Sequence, residues 1–282
     1  MYITCSKHVV SLPLASPNTL EATTNTYIIA DQNELFVVDP GYDYAENTVK
    51  IVQTIETFGN GNAKVAGIIF THYHPDHAPG ARGLAKHYDC PLYCHEAEAN
   101  LIDRMIQPLS HTDKLHDGGI LRLGSLHIEV LHTPGHTPGH IALFIREDEL
   151  LLTGDTVISQ GSTWIGPPDG HMGAYLQSLQ KLKKFPAKRI GPGHGPVIDE
   201  PEKAIDWFIS RRLEREAQIA SLVQQWKQAS VVQLVEEIYA GQVHPDKIWV
   251  AEKTVLAHLI KLVEDGKMSE ISDDRDGPDK QR

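Results

Sequence analysis

The stretch Thr71-His72-Tyr73-His74-Pro75-Asp76-His77-Ala78-Pro79-Gly80 puts four metal-ligand side chains, His72, His74, Asp76 and His77, within six residues. It follows Val65-Ala66-Gly67-Ile68-Ile69-Phe70, whose length and β-branched content predict a buried strand. Pro75 and Pro79 prevent the strand from continuing, so the histidines fall on the loop leaving its C-terminal end. Imidazole nitrogen and carboxylate oxygen are the ligands that borderline metals such as zinc prefer. A single His-x-His would read as a solvated polar loop. His-x-His-x-Asp-His directly after a strand reads as a metal-binding loop.

At 282 residues the chain has room for about two domains, one of them with a full core. With 41% hydrophobic and 22% charged residues it resembles ordinary soluble globular proteins, so a packed core is expected. The opening Met1-Tyr2-Ile3-Thr4-Cys5-Ser6-Lys7 lacks the basic region and apolar core of a secretion signal, and no apolar run is long enough to span a bilayer. A cytoplasmic protein with no membrane partner is the expectation. Cys5, Cys90 and Cys94 cannot form a disulfide framework, and Cys90-Pro91-Leu92-Tyr93-Cys94 has no second cysteine pair; buried reduced thiols are expected. A net charge of −11 disfavours an extended basic face for duplex DNA, but not a local positive site made by bound metal.

Residues 25–30 and 35–38 read as strands, the second running into the turn Asp39-Pro40-Gly41. Residues 45–57 are helical in pattern, with Val49, Ile51, Val52 and Ile55 as the inner face. Helices are expected at 80–87, 96–106 and 173–184, strands at 91–94 and 126–131, and a hairpin from 141–145 and 149–153. This alternation gives an α/β layered domain over residues 1–200. A connecting helix follows at 201–230, with Pro201 suited to its first turn. Residues 231–270 form a small helical domain, with helices at 231–239 and 248–264 and a short strand after Asp265-Gly266-Lys267-Met268. The polar end, 271–282, is expected to be a disordered tail.

Three more segments place ligand types in tight loops at strand ends: Leu131-His132-Thr133-Pro134-Gly135-His136-Thr137-Pro138-Gly139-His140, Thr153-Gly154-Asp155-Thr156 and Gly191-Pro192-Gly193-His194-Gly195. In this order the motifs resemble the metallo-β-lactamase superfamily. That resemblance implies an αββα sandwich with two metals at one edge. His72, His74 and His136 would hold the first, Asp76, His77 and His194 the second, and Asp155 would bridge them. Gly154-Asp155-Thr156-Val157 through Gly161-Ser162-Thr163 narrows the match to the lactamase-beta-two family. So do Arg211-Arg212-Leu213-Glu214-Arg215-Glu216-Ala217-Gln218-Ile219 and Ala257-His258-Leu259-Ile260-Lys261-Leu262. In that family a winged-helix-like module follows the hydrolase core. The animal member is an endoribonuclease acting on single-stranded RNA, and fungal relatives are thioesterases that release polyketides from carrier protein.

Asp76 and His171 are the catalytic candidates. His171, in Asp169-Gly170-His171, is either a surface-loop residue or a proton donor lining the cleft. His132 is expected at a strand end with its ring hydrogen-bonded. His140 could stand in for His136, but the resemblance favours His136 and leaves His140 to support a ligand or touch substrate. The remaining histidines carry no spacing signal.

Two divalent cations, zinc first and manganese or iron as substitutes, can share a hydroxide and lower its pKa to near 7. Such a hydroxide would attack a carbonyl or a phosphorus. Four positive charges less Asp76, Asp155 and hydroxide leave a site of about plus one, which suits a small anionic substrate or single-stranded RNA. The chain has no Gly-x-Ser-x-Gly, Walker loop or dinucleotide fingerprint, so competing enzyme classes lack their parts. Secreted β-lactamases lack the pairing of His77 with a bridging Asp155. A hydroxyacylglutathione hydrolase fits all the ligands but not the C-terminal module, and an iron-dependent persulfide dioxygenase lacks that extension. The non-enzyme alternative is a nucleic-acid or partner-binding module with a structural metal. Structural sites are closed and often use cysteine, which these ligands do not. Lys253, Lys261 and Lys267 are offset by Glu252, Glu264 and Asp265, so the C-terminal domain has no plain basic face.

Overall fold

The computed structural model describes residues 2–17, 22–59, 61, 63–226 and 229–270. The expected disordered tail lies outside the described residues. One sheet runs in chain order through β1 (Ile3–Thr4), β2 (Val9–Ala15), β3 (Thr23–Asp31), β4 (Glu34–Val38), β5 (Lys64–Ile69), β6 (Leu92–His95) and β7 (Asp113–Leu115). It is antiparallel as far as β4 and parallel beyond it. The other contains β8 (Ile120–Leu123), β9 (Leu126–His132), β10 (Ile141–Ile145), β11 (Leu150–Gly154) and β12 (Arg189–Pro192), in the order β12-β11-β10-β9-β8. Only β11 and β12 pair in parallel in that sheet.

Period-two alternation decides what each strand face covers. Phe36 and Val38 of β4 point between the sheets, where they meet Leu143, Ile145 and Leu152, while Leu35 and Val37 point outward. The outward face of the first sheet is covered by α1 (Ala45–Phe58), α2 (Ala81–Leu84) and α3 (Ala99–Ile106), which supply Ile51, Leu84 and Ile102. Ala142, Phe144 and Leu151 face outward from the second sheet onto α4 (Met172–Leu182) and α5 (Pro201–Trp226), through Leu179 and Phe208. Four layers result, helix-sheet-sheet-helix, because both sheets are apolar on both faces.

The C-terminal module contains α6 (Val231–Tyr239) and α7 (Ile248–Glu264) and has its own core, in which Leu234, Val255 and Leu259 pack on Ile219 of α5. Ser230 caps α6, and Ser230 and Gln233 make a reciprocal capping box. The module also packs on the hydrolase core. Ala257 joins the cluster containing Phe208 and Met172. A Cβ at Gly166 would lie 2.7 Å from Lys253 Cβ, so only glycine allows this loop to lie so close to α7.

Two expectations need correction. Val49 is exposed rather than on the inner face of α1, where Asn47, Thr48 and Thr54 accompany Ile51 and Ile55. Residues two apart on a helix point to nearly opposite sides, so Val49 and Ile51 cannot both face inward. The helix expected at 80–87 is a single turn, Ala81–Leu84, which tightens where Lys86 and His87 bond back three residues. Asp265-Gly266-Lys267-Met268 is a turn, as expected: Gly266 adopts φ +69° and the Lys267 N–H closes on the Leu262 carbonyl at 2.9 Å, terminating α7, and the strand expected after it lies outside the described residues. β1, β2, β7 and β8 had no counterpart in the pattern reading.

Candidate metal centre

Parallel pairing brings strand ends together at one edge. Val38 of β4 lies opposite Ile69 of β5, which sets Asp39 beside Thr71. Gly154 of β11 lies opposite Pro192 of β12, which sets Asp155 beside His194. Gly154 takes φ +47°, and a Cβ there would approach His140 Nε2 to 2.6 Å and Thr71 Oγ1 to 2.8 Å. Glycine is needed for the two sheets' loops to meet.

All seven expected ligand side chains converge at this edge, in two groups sharing Asp155. Asp155 Oδ2 faces His136 Nε2 at 3.5 Å and His72 Nε2 at 3.9 Å, and His74 Nδ1 lies 3.0 Å from His136 Nε2 and 3.1 Å from His72 Nε2. Asp155 Oδ1 faces His194 Nε2 at 3.3 Å and His77 Nε2 at 3.4 Å, and Asp76 Oδ2 lies 3.5 and 3.8 Å from the same two nitrogens. A tetrahedron with arms of 2.0–2.1 Å has edges of about 3.3–3.4 Å, and these separations scatter around that figure.

The other ring nitrogens settle what the converging atoms are. His77 Nδ1 lies 2.9 Å from Asp39 Oδ2, His136 Nδ1 2.9 Å from the Trp164 carbonyl, and His194 Nδ1 2.8 Å from the Thr23 carbonyl. Each partner only accepts, so Nδ1 carries a proton and Nε2 is the atom left to offer a lone pair inward, at once on His136 and after loss of a second proton on His77 and His194. His72 Nδ1 meets Thr71 Oγ1 at 3.0 Å; Thr71 donates its own hydroxyl proton to Asp39, so His72 is also protonated on Nδ1. A proton on His74 Nδ1 could satisfy only one of its two ring contacts. Buried His77 Nε2 and Asp155 Oδ1 have no hydrogen-bond partner although they face each other. Lone pairs crowded in this way fit a bound cation and are otherwise unfavourable.

The titration behaviour divides likewise. Burial drives His72 and His74 well below the usual imidazole range, helped by neighbouring rings, and lowers His136. Burial also opposes charge on His77, but the carboxylates of Asp155, Asp76 and Asp39 outweigh it and hold the pKa at about 9. His194 is held at about 10 against burial by Asp155 and Asp76. Burial would raise Asp155, yet His194 and His77 keep it well below the usual carboxylate range.

Two carboxylates that pattern reading did not single out organise the ligands. Asp39 accepts from the Thr71 N–H at 2.8 Å, from the Thr71 hydroxyl at 2.6 Å and from His77, so it orients ligands of both groups. Its position immediately after a buried strand was the only signal. Glu98, fully buried, accepts from the Tyr73 N–H at 2.6 Å, the Gly139 N–H at 3.1 Å and the Thr137 hydroxyl. It ties the 71–77 loop to the 133–140 loop, and burial pushes its pKa up to about 7 despite those three donors.

His140 is buried just outside the cluster: Nε2 accepts from the Asp155 N–H at 3.0 Å, and Nδ1 meets Thr133 Oγ1 at 2.9 Å. It therefore supports Asp155. His132 sits at a strand end, hydrogen-bonded to the Pro138 carbonyl at 2.9 Å and stacked on His95. The cleft-lining role considered for His171 does not match its position. His171 caps α4 by accepting from Ala174 N–H and pairs with Glu264 of α7 at 3.0 Å, so both its nitrogens are engaged between layers.

Above the cluster lies a cavity of about 480 Å³, walled by Tyr42 and Trp164 of the core and by Trp249 and Val250 of α7. The ring centroids of Trp164 and Trp249 are 5.5 Å apart. A larger groove of about 820 Å³ between α5 and the end of α7 lacks converging ligand atoms and is not the reaction site.

Two sheets packed face to face, with bare imidazole and carboxylate atoms gathered where their strands end, define a metal-centred hydrolase class. The chain belongs to the metallo-beta-lactamase superfamily, whose profile matches residues 21–194. A second profile, the beta-lactamase associated winged helix domain, matches residues 230–277. The chain is 28% identical over 258 residues to the Beta-lactamase-like protein 2 homolog of Caenorhabditis elegans, which covers 89% of this chain and 81% of that one. It is 24% identical over 266 residues to an atrochrysone carboxyl ACP thioesterase of Cryptosporiopsis sp. (strain 8999), covering 87% and 76% respectively. A beta-lactamase domain protein from Burkholderia ambifaria shares the fold with a TM-score of 0.84, over 94% of this chain and 88% of that one at 20% identity. No helix among the described residues is long and apolar enough to cross a membrane.

Proposed function

We propose that the chain is a binuclear metal-dependent hydrolase of single-stranded RNA, with zinc as the native ion and the cytoplasm as its place of work. The observation that carries this reading is the shared carboxylate of Asp155, one oxygen turned to each ligand group, beneath a cleft with aromatic walls. His72, His74 and His136 would hold one ion and Asp76, His77 and His194 the other. Bound there, the ions would supply Lewis acidity and a water activated near neutral pH. The chain's own residues do the rest. Asp39, His140 and the Trp164 carbonyl fix the ligands, while Tyr42, Trp164 and Trp249 offer π-faces to unstacked bases. Asp76 Oδ2 accepts from Thr24 at 3.2 Å and lies at the cleft floor, where its carboxylate can take a proton from the attacking water or pass one to the leaving oxygen. Duplex DNA does not fit this role, because stacked bases leave the aromatic walls nothing to engage.

A thioesterase acting on carrier-bound acyl groups is the second reading, favoured by the relatives named as ACP thioesterases. A closed structural metal is disfavoured, since the cluster opens to the cavity. Zinc- and manganese-loaded protein assayed side by side on single-stranded RNA and acyl thioesters decides. RNA cleavage abolished by chelation and restored by metal supports the proposal, and thioester hydrolysis alone sinks it.

A further inference from the structure

Beside the metal cleft, across the segment Ser162-Thr163-Trp164, lies a second cavity of about 210 Å³ between α5 and the start of α7. Its charged lining is Arg211, Arg212 and Arg215 from α5 and Lys247 at the head of α7. In a protein of net charge −11, none of these four cations forms an ion pair with a carboxylate among the described residues. Arg215 instead stacks on Tyr239 at 4.4 Å and gives Nη1 to Gln218 Oε1 at 3.0 Å, which leaves its other N–H groups to donate.

Buried donors sharpen the point. Arg212 is only 5% exposed and gives one nitrogen to the Thr163 carbonyl, but its Nε has no hydrogen-bond partner. Ser162 Oγ and Trp164 Nε1, on the wall shared with the metal cleft, are buried and unpartnered too. A buried guanidinium lacking both a counter-ion and a full set of acceptors is costly unless an anion completes it. Guanidinium forks match phosphate geometry, and donors gathered around one cavity describe a phosphate cradle.

We propose that this cavity is a phosphate subsite, holding a backbone phosphate of single-stranded RNA next to the one positioned over the metal cluster. The inference rests on the hydrolase reading of the adjacent cleft. RNA is favoured over a carrier arm because several cations lie along two helices beside aromatic walls, an arrangement that suits a polyanion with bases. Trp164 joins the two cavities: its carbonyl orients His136, its ring faces Trp249, and its indole N–H is one of the unpartnered donors.

The test is equilibrium binding of an uncleavable 2′-O-methyl oligoribonucleotide to the metal-loaded full chain over a range of salt. Arg211→Gln combined with Lys247→Gln should weaken binding at least ten-fold. It should also reduce the salt slope by about 0.7, the value for loss of one single-strand phosphate. Lys50→Gln with Lys86→Gln, on the opposite helical layer, should bind as wild type does, and metal content should be equal in all three proteins. Arg212→Lys, which keeps the charge and loses the fork, should weaken binding several-fold. Unchanged affinity and slope in the Arg211 and Lys247 double variant overturns the subsite, as does a wild type that fails to bind. Weakening confined to an acyl-phosphopantetheine thioester overturns the RNA assignment. Turnover plays no part in this measurement, so a protein that binds through the pocket yet cleaves no RNA refutes the reaction assigned to the metal centre and leaves the subsite standing.

Discussion

The two halves of the metal centre are built on different electrostatics. His72, His74 and His136 share a single carboxylate, and burial keeps their rings neutral. His77 and His194 face Asp155 and Asp76, and His77 also meets Asp39; the surplus of negative charge holds both rings protonated near neutrality when no cation is bound. A cation therefore enters the first half against no proton. In the second it must displace them. The number of carboxylates per imidazole, rather than burial common to both, makes the difference.

Removing what the halves share should have the largest effect. Asp155→Ala is expected to strip most metal from both and lower activity by at least roughly a hundred-fold, the upper end for loss of a mere orienting partner. Elemental analysis showing unchanged stoichiometry would break the bridging assignment. Next comes Asp39→Ala, which loosens His77 directly and His72 through Thr71. Metal affinity should fall roughly 10- to 100-fold in both halves. A titration that shows only the second half weakened would restrict Asp39 to His77.

Protons give a subtler contrast. At pH 7 filling the second half should release close to two protons, from rings titrating at about 9 and about 10, whereas filling the first releases almost none. Calorimetry in buffers of different ionisation enthalpy reads this, and equal release from both would dissolve the comparison. The sign for the cation-free protein follows from folded values above the unfolded 6.5. The stability these rings contribute is complete below pH 6.5 and is lost as pH rises through about 9 to 10. The smallest effect is expected at His171, whose pair with Glu264 is half exposed and worth at most about 1 kcal/mol. His171→Ala should leave turnover within a few-fold. A drop by orders of magnitude would restore it as a proton donor.

The ligands were legible in the sequence because each sits in a Pro- and Gly-punctuated loop directly after an apolar strand, a local signal. The helices at 231–239 and 248–264 were legible for the same reason. Asp39 and Glu98 were not, since their partners lie 32 and 25 residues or more away and only pairing register joins them. His171 sits in the loop where the pattern put it, but its partner Glu264 lies 93 residues on. β1 and β7 have two and three residues, too few for periodicity to register. No local pattern joins Arg211 and Arg215 to Lys247, which reach the same cavity only through the packing of α7 on α5.

Asp155 and His136 leave the second sheet, whereas His72, His74 and Asp76 leave the first. A cation held among them would act as a rivet through the sandwich, since the sheets could not part without releasing it. Loading should add about 4 kcal/mol at a thousand-fold excess over Kd. It should also slow unfolding, so that in the hydrolase core resistance to heat and readiness for chemistry rise with the same occupancy.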